Sequence, residues 1–197
     1  MTPLYTIGHS THEWEKFLQL LRQHKIEVLA DVRSQPYSRF TPQFNREGLS
    51  GGLARAGIRY VFLGKELGAR RDEPECFVNG KVEYGRVAIT SAFKLGLERL
   101  RLGIAQYRVA IMCAEKDPLE CHRTILVARH AKSFAEVRHI LADGSIETHE
   151  RAEVRLLSEY KMAETDLFTS DLNRLETAYD KRADAIAYRE TTESTSP

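Results

Sequence analysis

Five short apolar stretches recur between amphipathic segments, at residues 4–7, 26–32, 58–63, 107–112 and 137–141, and unusual polar residues follow each of them. Strands alternating with helices at this spacing imply right-handed β-α-β crossovers, hence a mostly parallel sheet with helices on its faces. In such a sheet every strand's carboxyl end opens on one edge, where folds of this kind bind ligands. The polar residues in question are His9 and Ser10, then Asp31 and Arg33, then Glu66 and Arg70, then Cys113 and Glu115 with Cys121, His122 and Arg123, and finally Asp143 and His149. One pattern therefore predicts one polar cleft.

The connections can be read from their caps and breakers. Trp14, Phe17, Leu18 and Leu21 follow the 3.6 period of a helix that Ser10 or Thr11 would cap. Prolines make residues 34–42 a long loop, and Gly57 ends a helix over 46–56. A second long loop runs from Gly64 to Tyr84, and residues 86–102 read as one helix. Asp117, Pro118 and Glu120 fit the N-cap, first and third helical positions, which places Cys121 in a first helical turn. Asp143-Gly144 is a turn before a helix over 149–161. Phe168, Leu172, Leu175, Tyr179, Ala183 and Ile186 then form one apolar helical stripe, which packs back on the body or against a second copy of the chain. The expected organisation is an α/β domain over 1–162, a helical extension over 163–190 and a disordered tail over 191–197.

At 197 residues and 42% hydrophobic content the chain suits one ordinary domain. A net charge of +1 argues against a general polyanion surface, but the average hides a division. Residues 33–71 carry eight basic and two acidic side chains, whereas 143–190 carry twelve acidic and seven basic. A basic segment beside a cleft favours an anionic ligand, and a merely solvated surface is the competing reading. Three cysteines and no leader-like start make a reducing, cytoplasmic setting the expectation, and no apolar run approaches a membrane span.

Among the candidate chemical groups, Cys121 near a helix start is a possible thiolate, and it also aligns with Ile125 and Ala128 as a packing residue. A metal would use Cys113, Cys121 and His122, with His9 or His149 as a fourth ligand. The spacing is not that of a recognised zinc site, and neighbours on a helix diverge by about 100°, so the expected site is metal-free. Asp31 and Arg33 are either substrate-orienting groups or a plain ion pair. Tyr37, Phe40 and Phe44, interleaved with Arg39 and Arg46, are base-stacking groups or loop anchors.

The ordered set TIGHS, LADVRSQPYS, LGKELGAR and MCAEKDPLECHR resembles domain of unknown function family 488, from about Thr6 to Tyr160. The resemblance implies an α/β domain and marks His9, Ser10, Asp31, Arg33, Pro36, Glu66, Leu67, Gly68, Cys113, Glu115, Cys121, His122 and Arg123 as motif residues, without naming a reaction. The expected fold is a three-layer, mostly parallel α/β sheet of about five strands with flanking helices (Rossmann-like), plus a C-terminal helical extension. The leading expectation is an enzyme of unnamed reaction class and unknown cofactor that binds a nucleotide, nucleic-acid component or other phosphorylated compound. Asp31, Glu115, Cys121 and His9 are its catalytic candidates, and Ser10, Arg33, Glu66, Arg70, His122 and Arg123 its substrate-binding candidates. The alternatives are a nucleic-acid-binding accessory protein without catalysis, and a thiol redox or metal-binding protein using Cys113 and Cys121. The expected partners are an anionic small molecule or nucleic acid, with a homodimer through the C-terminal helix and no membrane.

Overall fold

A computed structural model describes residues 2–162 and 171–190; Phe168 and the tail beyond 190 lie outside the described residues. The elements in chain order are β1 (Thr2–Gly8), α1 (Trp14–Gln23), β2 (Val28–Asp31), α2 (Arg46–Arg55), β3 (Arg59–Phe62), α3 (Gly64–Leu67), β4 (Phe77–Val78), β5 (Lys81–Val82), α4 (Tyr84–Ile89), α5 (Ser91–Ile104) and β6 (Val109–Cys113). A π-wound segment (Arg123–Ala128) then runs into α6 (Arg129–Ala131), followed by β7 (Ala135–Ile140), β8 (Ile146–Thr148), α7 (His149–Glu159) and α8 (Asp171–Ile186).

Six strands form one sheet in the order β3-β2-β6-β1-β7-β8. All pairs are parallel except β7 with β8. Alternation along the strands sends Tyr5, Ile7, Leu29, Ala110 and Met112 to one face, where Phe17, Leu20 and Leu21 of α1 and Leu49 and Leu53 of α2 cover them. Leu4, Ala30, Val109, Ile111 and Val137 face the other way, under Phe93, Leu100, Leu126, Leu156 and Tyr179. The result is three layers. The chain leaves β1 and β2 toward one face and β6 toward the other, so the loops diverge above β2, β6 and β1, which is where an open α/β sheet leaves a crevice.

Several elements differ from the sequence reading for identifiable reasons. Ser10 does not cap α1; it sits at φ 47°, and the helix begins after Glu13. The expected single helix over 86–102 is broken at Thr90, which has extended backbone and accepts a hydrogen bond from the Phe93 N–H at 3.2 Å as the cap of α5. The second long loop contains a β4–β5 hairpin whose Asn79-Gly80 turn has φ 50° and 70°, the left-handed pair that an Asn-Gly turn supplies. Asp143-Gly144 turns the chain into β8 as a sixth, antiparallel strand before α7.

The described part of the C-terminal stripe packs on the chain's own body, with Ala178, Tyr179 and Ala183 buried. Those residues are therefore not offered to a second copy. Beyond α8, Val82 N–H donates to the Tyr188 carbonyl and Glu190 N–H to the Gly80 carbonyl, which fastens the segment to the hairpin. No described helix is long and apolar enough to cross a membrane.

Candidate functional site at the strand carboxyl ends

The loops above β1, β2 and β6 are bound together by backbone. His9 N–H donates to the Cys113 carbonyl at 2.9 Å, and Ser10 N–H to the Ala114 carbonyl at 2.8 Å. Gly8 permits this approach, because a Cβ there would drive into the Glu115 carbonyl oxygen.

Asp31, the last residue of β2, is fully buried and its carboxylate is completely engaged. Arg33 binds it through Nε at 2.9 Å and Nη2 at 2.7 Å, with its backbone N–H at 3.1 Å, and the Tyr60 hydroxyl donates at 2.9 Å. Arg33 also donates to the Phe44 carbonyl at 2.8 Å and to His9 Nε2 at 3.2 Å. His9 Nδ1 lies 2.9 Å from the Ser10 carbonyl, which can only accept, so the proton is on Nδ1 and Nε2 receives Arg33. Burial holds the His9 pKa down to about 4. Neither the general-base role expected of Asp31 nor a proton-transfer role for His9 fits this geometry. Both position Arg33.

On the other side of the crevice, Asp117 caps only a single 3-10 turn, Pro118–Glu120, by accepting from Leu119 N–H at 2.8 Å. Cys121 follows with extended backbone, φ −140° and ψ 140°, and so precedes the helix instead of sitting in its first turn. Its carbonyl accepts the first helical bonds, from Thr124 and Ile125, while its sulfur accepts from Arg123 N–H at 3.4 Å. The extended geometry turns Cys121 and His122 toward one point. His122 Nδ1 lies 3.5 Å from Cys113 Sγ and 3.9 Å from Cys121 Sγ. His122 Nε2 is 3.0 Å from the Val32 carbonyl, which fixes the neutral ring's proton on Nε2 and aims the Nδ1 lone pair at the thiols.

Burial pushes the Cys113 thiol up. Burial also opposes ionisation of Cys121, but the Cys113 thiol, the Arg123 charge and His122 outweigh it and bring this sulfur well below the ordinary thiol range. Burial and then the Cys121 sulfur raise the Glu115 carboxyl. Arg123 is buried and spends its guanidinium on the Glu115 carbonyl at 2.7 Å and the Lys116 carbonyl at 3.2 Å.

A cleft of about 670 Å³ opens over these groups. His9, Ser10, Arg33, Arg70, Glu115 and His122 line it, as the sequence led us to expect. Asp31, Glu66, Cys121 and Arg123 do not. Glu66 pairs with Arg99 of α5, Arg123 holds the loop, and Cys121 is buried beside Cys113 and His122. The sequence reading missed Tyr84, Lys116 and Tyr188 as lining residues. Tyr84 opens α4, whose start Glu83-Tyr84 was read as loop, and Tyr188 reaches the cleft only because α8 packs back, where Arg70 stacks on its ring at 4.8 Å. Asp143 is not among the lining residues, and His149 is buried in a separate chain of hydrogen bonds.

That chain is fully directed. The Tyr179 hydroxyl donates to Glu153 at 2.8 Å, so its oxygen receives His149 Nε2–H at 3.0 Å. His149 Nδ1 then receives His139 Nε2–H at 3.1 Å, and His139 Nδ1 receives the Thr6 hydroxyl at 2.8 Å. One proton order satisfies four buried groups and joins α8 to the sheet.

Fold and site together define an open, three-layer α/β protein with a thiol–imidazole group at the carboxyl edge of its sheet. The chain belongs to the family described as domain of unknown function DUF488, whose profile matches residues 13–130. No curated protein and no solved structure matches it.

Proposed function

We propose that this protein is an enzyme that takes an anionic compound, a nucleotide, nucleic-acid component or other phosphorylated molecule, into the cleft and acts on it with the group at the cleft floor. The observation that carries this reading is the convergence of the buried Cys113 and His122 with the exposed Glu115, Arg70 and Lys116 around one cleft. Arg70 and Lys116 meet the anion, since Arg33 and Arg123 are buried and the bonds they make hold the loops of the protein itself. His122 Nδ1 accepts a proton from a thiol, and Glu115, whose carboxyl is raised by burial and the Cys121 sulfur, gives or takes a proton. Ser10 lines the cleft beside them. The three free cysteines support a reducing, cytoplasmic setting.

The test is a thermal-shift screen against nucleotides, nucleosides, sugar phosphates and short oligonucleotides, because a ligand of the native state raises its stability by mass action. A phosphorylated small molecule should stabilise the protein and lose its effect in Arg70→Ala with Lys116→Ala. Undiminished stabilisation in that double variant would refute the assignment. One observation favours a second reading, a non-catalytic nucleic-acid-binding protein. Tyr37 and Phe40 are 74% and 81% exposed on the loop beside the cleft, and Arg39 lies 4.8 Å over the Phe40 ring. Stabilisation by oligonucleotides alone that survives Glu115→Gln would select it.

A further inference from the structure

We propose that Cys113, Cys121 and His122 form a site for one soft divalent transition-metal ion of the zinc class, with the fourth coordination position open to the cleft. The sequence argued against this because adjacent helical side chains diverge. Cys121 is extended and not helical, so that objection falls. The three ligand atoms lie within 4.8 Å of one another. For a tetrahedral ion with bonds of about 2.3 Å to sulfur and 2.05 Å to nitrogen, each sulfur–nitrogen edge is about 3.6 Å. The observed edges are 3.5 and 3.9 Å. The sulfur–sulfur edge of such a tetrahedron is about 3.8 Å, so the sulfurs need to close by at most about 1 Å.

The surroundings match the needs of the ligands. A ligating imidazole requires an unprotonated nitrogen toward the ion and a partner for the other, and here Nε2–H is fixed by the Val32 carbonyl while Nδ1 faces the sulfurs. The Arg123 N–H on Cys121 Sγ orients that sulfur in the same way. Two thiolates and one imidazole on a dication leave no net charge, which suits side chains buried this deeply, and each thiol that binds releases its proton to solvent. Sulfur and imidazole donors select zinc-like ions over magnesium or calcium. Cys113 and His122 line the cleft, as does Glu115, so a fourth position open to the cleft can be completed by water or a ligand atom.

This inference does not depend on the anionic-substrate reading: with the ion bound, His122 Nδ1 and the two sulfurs are ligands and Glu115 is the proton-moving group left in the cleft. The experiment loads reduced, full-length protein with cobalt(II) and follows the sulfur-to-cobalt charge-transfer band and the visible bands of a tetrahedral ion. One ion per chain with tetrahedral intensity is expected. Cys113→Ser, Cys121→Ser and His122→Gln should each weaken binding by more than about 100-fold, beyond the loss typical of an outer-shell change. Cys76→Ser, which alters the buried thiol outside the cluster, should leave the spectrum unchanged. Weak octahedral bands, or a spectrum that survives Cys121→Ser, would overturn the proposal. X-ray absorption of the zinc-loaded wild-type protein decides it without any variant. Two sulfur neighbours at about 2.3 Å and nitrogen or oxygen at about 2.0 Å support the site, and any shell without two sulfurs refutes it.

Discussion

The Asp31–Arg33 pair offers the sharpest test of how the cleft floor is held. Asp31→Asn preserves shape and removes one charge. Whichever way the amide turns, its NH₂ replaces a carboxylate oxygen that now meets donors: Nε and the backbone N–H of Arg33 on one side, or Arg33 Nη2 and the Tyr60 hydroxyl on the other. The substitution therefore loses at least one charge-assisted hydrogen bond and leaves a buried guanidinium without its counter-charge. Breaking a buried pair in this way costs about 3–5 kcal/mol. With a urea slope of about 2 kcal/mol per molar, the unfolding midpoint should fall by roughly 2 M. The cycle is completed with Arg33→Met and the double variant. Because the double variant no longer carries the orphaned cation, its loss should be smaller than the sum of the single losses by about 2 kcal/mol. A midpoint shift below about 0.5 M for Asp31→Asn, or losses that add within about 0.5 kcal/mol, would show that the pair does not hold the floor.

Three further outcomes follow from the packing. Gly8→Ala should destabilise the fold by about 3 kcal/mol and lower the melting temperature by roughly 6–12 °C, since its Cβ meets a backbone oxygen that no rotamer change can move; an unchanged melting temperature would show that the β1 and β6 loops separate freely. Tyr179→Phe removes the 3.0 Å acceptor of His149 Nε2–H, leaving it Glu153 Oε1 at 3.5 Å, and should cost about 1–3 kcal/mol, read by chemical unfolding; a neutral result would mean that the histidine chain is ordered otherwise. Burial lowers the His9, His139 and His149 pKa values, so the unfolded chain takes up protons near pH 6.5 that the fold refuses. Stability from these rings is complete above that pH and falls below it by about 1.4 kcal/mol per pH unit for each ring, until its folded pKa is reached. His122, raised through Cys121 and the Val32 carbonyl against its burial, acts with the opposite sign and loses its contribution as the pH rises through its folded value. With four lowered rings, His12 included, against one raised, melting temperature should drop from pH 7 to pH 5, and a flat profile would contradict the buried neutral histidines.

The alternation of apolar stretches made the parallel sheet and its polar edge legible, because burial on both faces leaves a strong signal in β1, β2 and β6. β8 was not legible, since its three residues are only half-buried at the sheet margin. The residues of the site were easier to gather than to assign. Asp31 and Arg123 look like chemical groups in the sequence, yet one is consumed by Arg33 and the other by two carbonyls, and neither bond leaves a mark on composition. Cys121 was misplaced for a subtler reason. The Asp117-Pro118 start signal is real, but it serves one 3-10 turn, and the helix proper begins four residues later with Cys121 as its cap. That shift decides whether two side chains diverge or converge.

The pair of backbone bonds that joins His9 to Cys113 and Ser10 to Ala114 also bears on how such a protein changes over generations. Position 113 is held there through its carbonyl oxygen, which every amino acid, proline included, supplies in the same way. Its side chain is then a replaceable fitting on a permanent mount: a hydroxyl of similar size can stand in for the sulfur without moving the mount, whereas a carboxylate would meet the cost of a buried charge. New chemistry could be tried at this address at little cost to the architecture, and old chemistry lost there just as quietly.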